Sequence, residues 1–430
     1  MNNINMGNIK ILIKGKKALS GSVRISGAKN AALPELAAVI LSSGEFEFSE
    51  VPRVEDIKVM YKTLQNIGAE GEFSANSIKI KIPEIRSSPV PRNVVETETS
   101  RASILILGPL VARDGYARVS LPGGCSIGDR NINFHLDGLR KMGAEIDVKD
   151  GHIIAKTTGS LKGIEYEFPW KTVTGTENLL MAAALAEGTT ILKNCALEPE
   201  IGDLIDLLSK MGADIEGKNG DILRIEGKST LTGAVHTVIP DRIEMGTYVI
   251  AGSFTGNEIV VENVVPEYID SLLDILKQMG VNLEVDENSI RVSSNGGLRP
   301  VDVETRPFPG FPTDLQAQLT TLLTQSHGLS RVKENIFNNR FKHALELNKL
   351  GTDIKIVGDT AIIRGKTDLA GRGITATDLR ASAALVLGGL IAEGETVVAN
   401  SYQLLRGYEN MPQKLQALGA DIKIVGVGNE

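Results

Sequence analysis

Six times along the chain a helix-like stretch closes on an apolar residue and a glycine, and a strand-like stretch follows, usually with an acidic start. The first three read Leu64-Gln65-Asn66-Ile67-Gly68-Ala69-Glu70, Leu139-Arg140-Lys141-Met142-Gly143-Ala144-Glu145 and Leu208-Ser209-Lys210-Met211-Gly212-Ala213-Asp214. The others read Leu276-Lys277-Gln278-Met279-Gly280-Val281, Leu347-Asn348-Lys349-Leu350-Gly351-Thr352-Asp353 and Leu415-Gln416-Ala417-Leu418-Gly419-Ala420-Asp421. Successive glycines are 75, 69, 68, 71 and 68 residues apart. A glycine in this place predicts a helix terminated in the left-handed conformation. A fixed long period restricts the architecture more than composition does. A hairpin is expected after each glycine, as in Asp353-Ile354-Lys355-Ile356-Val357, Gly358-Asp359, Thr360-Ala361-Ile362-Ile363-Arg364.

Upstream of each glycine a second kind of helix start recurs. The six are Ser26-Gly27-Ala28-Lys29-Asn30, Thr99-Ser100-Arg101-Ala102-Ser103, Thr174-Gly175-Thr176-Glu177-Asn178, Pro240-Asp241-Arg242-Ile243-Glu244, Pro312-Thr313-Asp314-Leu315-Gln316 and Thr377-Asp378-Leu379-Arg380-Ala381-Ser382. Each opens an Ala/Leu/Ile/Val-rich run that is apolar almost all round, which predicts a buried helix. A strand follows, as in Gly188-Thr189-Thr190-Ile191-Leu192. The unit is therefore βαβαββ in an α/β fold, and six units suggest two domains of three, each enclosing a helix bundle. Leading strands are expected near 22–26 for the first unit and 235–239 for the fourth, with 9–13 left over. The chain is expected to cross twice, near 27–28 and 239–240, giving one domain of residues 28–239 that carries the loop around Cys125 and another of 1–27 with 240–430, completed by the N-terminal strand.

At 430 residues the chain is too long for one ordinary core. Its 42% hydrophobic and 23% charged content is that of a soluble globular protein. A net charge of −7 argues against a general nucleic-acid binder. Two cysteines, Cys125 and Cys195, make no disulfide framework and fit a cytoplasmic protein. The start lacks the basic and apolar regions of a signal peptide, and apolar runs such as 103–112 are too short to span a bilayer. His135, His152, His236, His327 and His343 never fall in metal-ligand pairs, so no metal is expected.

One loop stands out, Leu121-Pro122-Gly123-Gly124-Cys125-Ser126-Ile127-Gly128-Asp129-Arg130. Its glycines free the backbone beside a thiol, and Arg130 would favour a thiolate or an anionic guest. A passive cysteine in a Gly-rich turn reads equally well from the loop alone. Helix N-termini carry unpaired N–H groups and partial positive charge. Lys29, Arg101, Arg242 and Arg380 sit at or near such starts, and Arg130, Arg340 and Arg406 lie in loops after a unit's strand. If each domain's buried helices run the same way, two such faces turned together would attract a polyanionic small molecule.

On these residues the sequence resembles the enolpyruvyl transferases. The matching stretches are Ser26-Gly27-Ala28-Lys29-Asn30-Ala31-Ala32-Leu33-Pro34, Arg101-Ala102-Ser103, Gly108-Pro109-Leu110, Leu121-Pro122-Gly123-Gly124-Cys125 and Ala186-Glu187-Gly188-Thr189-Thr190. They continue with Glu198-Pro199-Glu200, Pro240-Asp241-Arg242-Ile243-Glu244, Phe311-Pro312-Thr313-Asp314-Leu315-Gln316-Ala317-Gln318, Asn339-Arg340-Phe341, Ala376-Thr377-Asp378-Leu379-Arg380-Ala381 and Arg406-Gly407-Tyr408-Glu409. The resemblance covers essentially the whole chain, in order.

It implies a two-domain inside-out α/β barrel. It also implies transfer of the enolpyruvyl group of phosphoenolpyruvate to the 3′-hydroxyl of UDP-N-acetylglucosamine, releasing phosphate, as the first committed step of peptidoglycan precursor synthesis. No metal or organic cofactor, nucleic acid or membrane is implied. Cys125 is implied as proton donor, as the site of a covalent phosphoenolpyruvate adduct and as the residue alkylated by fosfomycin. Asp314 is implied as general base at the 3′-hydroxyl. Lys29, Asn30, Arg130 and Arg406 are implied for phosphoenolpyruvate. For the nucleotide sugar the set is Asn30, Arg101, Arg130, Asn131, Ile132, Asn133, Phe134, Lys171, Val173, Asp314 and Ile336, with Arg340, Asp378 and Arg380 in support.

The chemistry agrees with such roles. Adding an alcohol to an enol ether carbon needs an acid and a base at opposite ends, and cationic clamps orient phosphate and carboxylate. For Asp314 a helix N-cap is the competing reading. The chain departs from the usual family pattern at Asn338, Asn131, Asn133, Gln403 and Leu405, which touches affinity for the nucleotide sugar rather than the acid, base or clamps. Glu55 likewise stands where some relatives carry lysine. Two other readings are an enolpyruvyl transferase acting on shikimate 3-phosphate and a nucleotide-sugar sensor without turnover. Cys195, at a strand end, is expected to be inert packing.

Overall fold

The six repeat glycines are where the sequence prescribes the backbone most directly. In the computed structural model, which describes residues 9–85, 101–121 and 132–426 with the main chain alone at Arg101 and Ala102, all six have positive φ, between 89° and 113°. Each ends an amphipathic helix and releases the chain into a strand. Asp270–Met279 shows the pattern: Leu272, Leu273, Leu276 and Met279 are buried, and Gly280 at φ 89° stops the helix before the strand Asn282–Val285.

The described residues fall into two compact units, one of 9–26 with 240–426 and the other of 27–85, 101–121 and 132–239. Each has its own hydrophobic core. In the first unit the helices Arg242–Gly252, Gln316–Leu323 and Leu379–Ile391 are buried nearly from end to end. In the second the same holds for Lys29–Ala38 and Val173–Ala183. Fully burying a Leu, Ile or Phe side chain contributes about 1.5–3 kcal/mol, so helices apolar on every side have no stable place except inside.

Sheets surround these helices. Among the described residues there are five four-stranded sheets and one of three strands. A typical one joins Glu165–Glu167 in parallel to Thr189–Lys193, which pairs antiparallel with Ile222–Glu226, itself the hairpin partner of Asp214–Glu216. Register follows the alternation: Leu192 lies opposite Tyr166 and Leu223, and all three point into the core. The three-stranded sheet belongs to the second repeat.

Two leading strands are exchanged relative to their places in sequence. Ser20–Arg24, expected to lead the first repeat, pairs in parallel with Glu258–Glu262 of the fourth, with Val23 opposite Val261. Val235–Thr237, expected to lead the fourth, pairs in parallel with Glu45–Ser49 of the first, with His236 opposite Phe48. The chain therefore changes unit at Ser26–Gly27 and again at Ile239–Pro240. Main-chain bonds fasten each pass: Asp241 N–H to Ser26 O at 2.9 Å in one unit, Ala28 N–H to Ile239 O at 2.7 Å in the other. Gly27 is confined there, since a Cβ would lie 1.7 Å from the Glu50 carbonyl oxygen.

The run left over at the start also has a place. Lys10–Lys14 pairs antiparallel with both Glu395–Ala399 and Asp421–Val425. The last repeat ends after one hairpin strand, and this N-terminal strand supplies the other. Ile11 and Ile13 turn inward and the lysines outward, as the alternation in Lys-Ile-Leu-Ile-Lys requires.

Candidate active site

In the first unit the site is built around Asp314. The segment Pro312-Thr313-Asp314 enters the buried helix Gln316–Leu323 through a single 3-10 turn, Thr313–Leu315. Asp314 caps nothing; its carboxylate lies between two arginines. Arg340 Nη2 donates to Oδ1 at 2.6 Å, and Arg380 Nη2 and Nε donate to Oδ2 at 2.8 and 3.1 Å. Both arginines are about 95% buried. Burial alone would push the Asp314 carboxyl up, but the charges of Arg380 and Arg340 and their hydrogen bonds hold it well below the usual carboxylate range.

Asp378 does the capping expected of a residue at a helix start. Its Oδ1 accepts from the Arg380 and Ala381 N–H groups at 3.0 and 2.9 Å, fixing the first turn that carries Arg380. Arg406 follows the short helix Tyr402–Leu405 and donates to Gln403 Oε1 at 3.2 Å, so a residue that departs from the family pattern supports a proposed phosphate clamp.

Glu334 links the Ile336 loop to the Asp314 turn. Its Oε1 accepts from Ile336 N–H at 2.9 Å, Phe337 N–H at 3.1 Å and the Thr305 hydroxyl at 3.0 Å. Its Oε2 accepts from the Thr313 hydroxyl at 2.8 Å. Sequence reading missed Glu334, since nothing in its spacing distinguishes it from other strand-end acids. Ile336 itself is part-exposed.

In the second unit Lys29 is the first residue of the helix Lys29–Ala38, buried, with its ammonium 3.1 Å from Asp56 Oδ2. Asp56, also buried, lies in the first turn of Glu55–Asn66 and was likewise missed. Asn30, next to Lys29, is half-buried.

A second group gathers at the start of Asn133–Lys141. Ile132 precedes that helix and Asn133 opens it. Phe134 is buried and meets Trp170 edge to face, with ring centroids 4.5 Å apart. Lys171 donates to the Cys195 carbonyl at 2.8 Å and stands 3.4 Å from Asp221 Oδ2. Val173 opens the helix capped by Thr172. The two helices are tied by Asn178, whose amide lies 2.8 Å from His135 Nδ1 and whose Oδ1 accepts from Gly108 N–H at 2.7 Å. Burial pushes the Cys195 thiol up to about 12, so it is no nucleophile near neutral pH.

Cys125, Arg130 and Asn131 lie outside the described residues, as does the Arg101 side chain; the Arg101 main chain opens the 3-10 turn Arg101–Ile106. Among the described residues no helix is long and apolar enough to cross a membrane.

Buried helices ringed by sheets, with cations and carboxylates at the helix starts, define a class that sequence comparison makes explicit. Residues 13–415 match the family model described as EPSP synthase (3-phosphoshikimate 1-carboxyvinyltransferase), and the chain belongs to this family of enolpyruvyl transferases. Within it, the chain is 50% identical over 424 residues to the UDP-N-acetylglucosamine 1-carboxyvinyltransferase of Koribacter versatilis (strain Ellin345), covering 97% of this chain and 96% of that one. It is 48% identical over 417 residues to the protein of that name from Solibacter usitatus (strain Ellin6076), covering 97% and 99%. Among solved structures, the enolpyruvyl transferase NikO from Streptomyces tendae superposes with a TM-score of 0.87 at 25% identity, covering 97% of this chain and 99% of that one. The fold is the inside-out α/β barrel of the enolpyruvyl transferases, and the chain is an enzyme.

Proposed function

We propose that this enzyme transfers the enolpyruvyl group of phosphoenolpyruvate to the 3′-hydroxyl of UDP-N-acetylglucosamine, releasing phosphate, in cytoplasmic peptidoglycan precursor synthesis. The observation that carries the reading is Asp314, a carboxylate kept ionised by two buried arginines at a helix start. The two relatives named for this acceptor, at 50% and 48% identity nearly end to end, support the choice of nucleotide sugar.

In this reading the Cys125 thiol proton goes to the methylene carbon of phosphoenolpyruvate. The sugar oxygen bonds to the adjacent carbon, and the hydroxyl proton passes to Asp314. Phosphate then leaves with its bonding pair while the new methyl carbon returns a proton to the Cys125 thiolate, which restores the enol ether, and Asp314 passes the hydroxyl proton to the departing phosphate. A carboxylate held below its usual pKa is a weak base. That suffices here, because a hydroxyl adding to an oxocarbenium-like carbon grows acidic as the bond forms. Lys29, Asn30, Arg130 and Arg406 hold phosphoenolpyruvate and offset charge on the leaving phosphate. Asn30, Arg101, Arg130, Asn131, Ile132, Asn133, Phe134, Lys171, Val173, Asp314 and Ile336 surround the nucleotide sugar. No oxidation state changes, and side chains supply every proton transfer.

The test is phosphate release from phosphoenolpyruvate with each of two acceptors. Release is expected with UDP-N-acetylglucosamine and not with shikimate 3-phosphate. The reverse preference, or sugar binding with no release, would overturn the proposal.

A further inference from the structure

We propose that Tyr408 is a positioning residue for the reaction assigned above, on whose reading this inference rests: its ring and hydroxyl hold Arg380 in register against the Asp314 carboxylate. Tyr408 is 1% exposed, and the Arg380 guanidinium carbon lies 5.4 Å from its ring centroid. A desolvated cation over an aromatic face is attracted by the ring quadrupole. That contact leaves the Nε and Nη2 edge of Arg380 for Asp314 Oδ2, where both bonds are made.

The hydroxyl end is fixed by a directional chain of hydrogen bonds. Thr247 gives its proton to the Ile243 carbonyl at 2.7 Å, so toward Tyr408, 3.1 Å away, it can only accept. The Tyr408 hydroxyl therefore donates to Thr247 and accepts from Gln318 Nε2 at 3.0 Å. The same amide nitrogen reaches the Asp314 main-chain carbonyl at 3.0 Å. A carbonyl cannot donate, so the amide nitrogen and not its oxygen must face Asp314. Thr247 and Gln318 are wholly buried. The chain thus runs from the Asp314 main chain through Gln318, Tyr408 and Thr247 to the helix Arg242–Gly252. Gln318 Nε2 also lies 3.1 Å from the Thr247 hydroxyl, while Gln318 Oε1 and Arg380 Nη1 have no hydrogen-bond partner among the described residues, so the amide nitrogen is what holds the chain together.

Tyr408 also lies two residues after Arg406. A Cβ at the intervening Gly407 would come within 2.5 Å of a Leu379 methyl group, so this turn packs directly against the residue before Arg380. One aromatic side chain thereby ties the proposed phosphate clamp to the arginine on the proposed base. The charged and titratable groups around Asp314 are Arg340 and Arg380 on its two oxygens and Glu334 through Thr313. Asp241 faces Arg380 and Tyr408, and His343 faces Asp378 and Arg340.

The experiment titrates Asp314 in the full chain labelled with ¹³C at aspartate carboxyls, using Asp314→Asn to identify its resonance. Wild type is expected to keep Asp314 ionised below the usual carboxylate range. Tyr408→Leu is expected to raise its midpoint by about one pH unit, a tenfold gain in proton affinity. Tyr408→Phe, which keeps the ring, should raise it less. In turnover the acid limb of the kcat profile should move up with the midpoint, with kcat falling more than KM changes. An unmoved midpoint in folded Tyr408→Leu overturns the inference. If that variant does not fold, an unmoved midpoint in both Tyr408→Phe and Gln318→Leu does so instead. A midpoint that moves as expected while wild type shows no turnover with phosphoenolpyruvate and UDP-N-acetylglucosamine overturns the reaction assigned above and leaves the positioning of Asp314 standing.

Discussion

Charge placed where burial opposes it marks the residues that matter most here. Lys29 and Asp56 face each other with side chains only 10% and 8% exposed, and Asp314 is held by two arginines. Removing one partner of a buried pair leaves an uncompensated charge, a loss of about 3–5 kcal/mol. Asp56→Ala is therefore expected to lower unfolding free energy by about 3 kcal/mol, measured in urea at neutral pH. A change under about 0.5 kcal/mol, the scale of an ordinary surface substitution, would contradict the pairing. Lys29, Arg340, Arg380 and Arg406 could be singled out in the sequence because they recur at helix starts or in loops after a unit's strand, and Asp314 through the family resemblance. Asp56, Glu334, Gln318 and Tyr408 could not be given a role. Each meets its partner through packing, and no spacing along the chain foretells a contact between Tyr408 and Arg380.

At the scale of elements, the glycine period was enough to place helix ends and hairpins, because a left-handed terminator is a local requirement. Strand partnership is not local. The expected crossings after Ser20–Arg24 and Val235–Thr237 put each strand in the other domain, but nothing in their residues names Glu258–Glu262 and Glu45–Ser49 as their partners. What holds the second of them is a buried cluster. His236 Nε2 lies 3.0 Å from Asp203 Oδ1 and 3.4 Å from Glu35 Oε1, and Asp203 Oδ2 accepts from Ile239 N–H at 3.1 Å, beside the crossing. The exposed Lys210 ammonium is 3.1 Å from His236 Nδ1 and can swing to solvent when the ring takes a second proton. The three ligand-type atoms lie within 4.8 Å of one another.

Burial alone would lower His236, yet its bonds to Asp203 and Glu35 push it up to about 9; burial pushes Glu35 up to about 8. Both folded-state values exceed the ordinary 6.5 and 4.5, so the folded form binds these protons more tightly. Their stabilisation is complete below the ordinary values and is lost as pH rises through about 8 to 9. Denaturant unfolding followed from pH 6 to 10 should show this decline, and Glu35→Gln should flatten it. An unchanged slope in Glu35→Gln would count against a shared proton at the crossing.

At the scale of the whole molecule, the described residues form two units, each with a hydrophobic core that no single repeat could build alone. Helix ends and buried helices could be read from the chain, since period and apolar runs are written along it. The expected crossings already put 22–26 and the N-terminal strand with the later repeats; which strands they pair with depends on contacts hundreds of residues apart, such as Ile13 with Ile422. The central claim is that the molecule adds a sugar hydroxyl across the double bond of phosphoenolpyruvate and then eliminates phosphate. Running phosphoenolpyruvate, UDP-N-acetylglucosamine and the enzyme in D₂O tests it by proton NMR. The expected result is a vinyl ether on the sugar 3′-oxygen, formed with stoichiometric phosphate and carrying deuterium in its methylene group. Phosphate released while the sugar spectrum stays unchanged, or a vinyl ether free of deuterium, would contradict it.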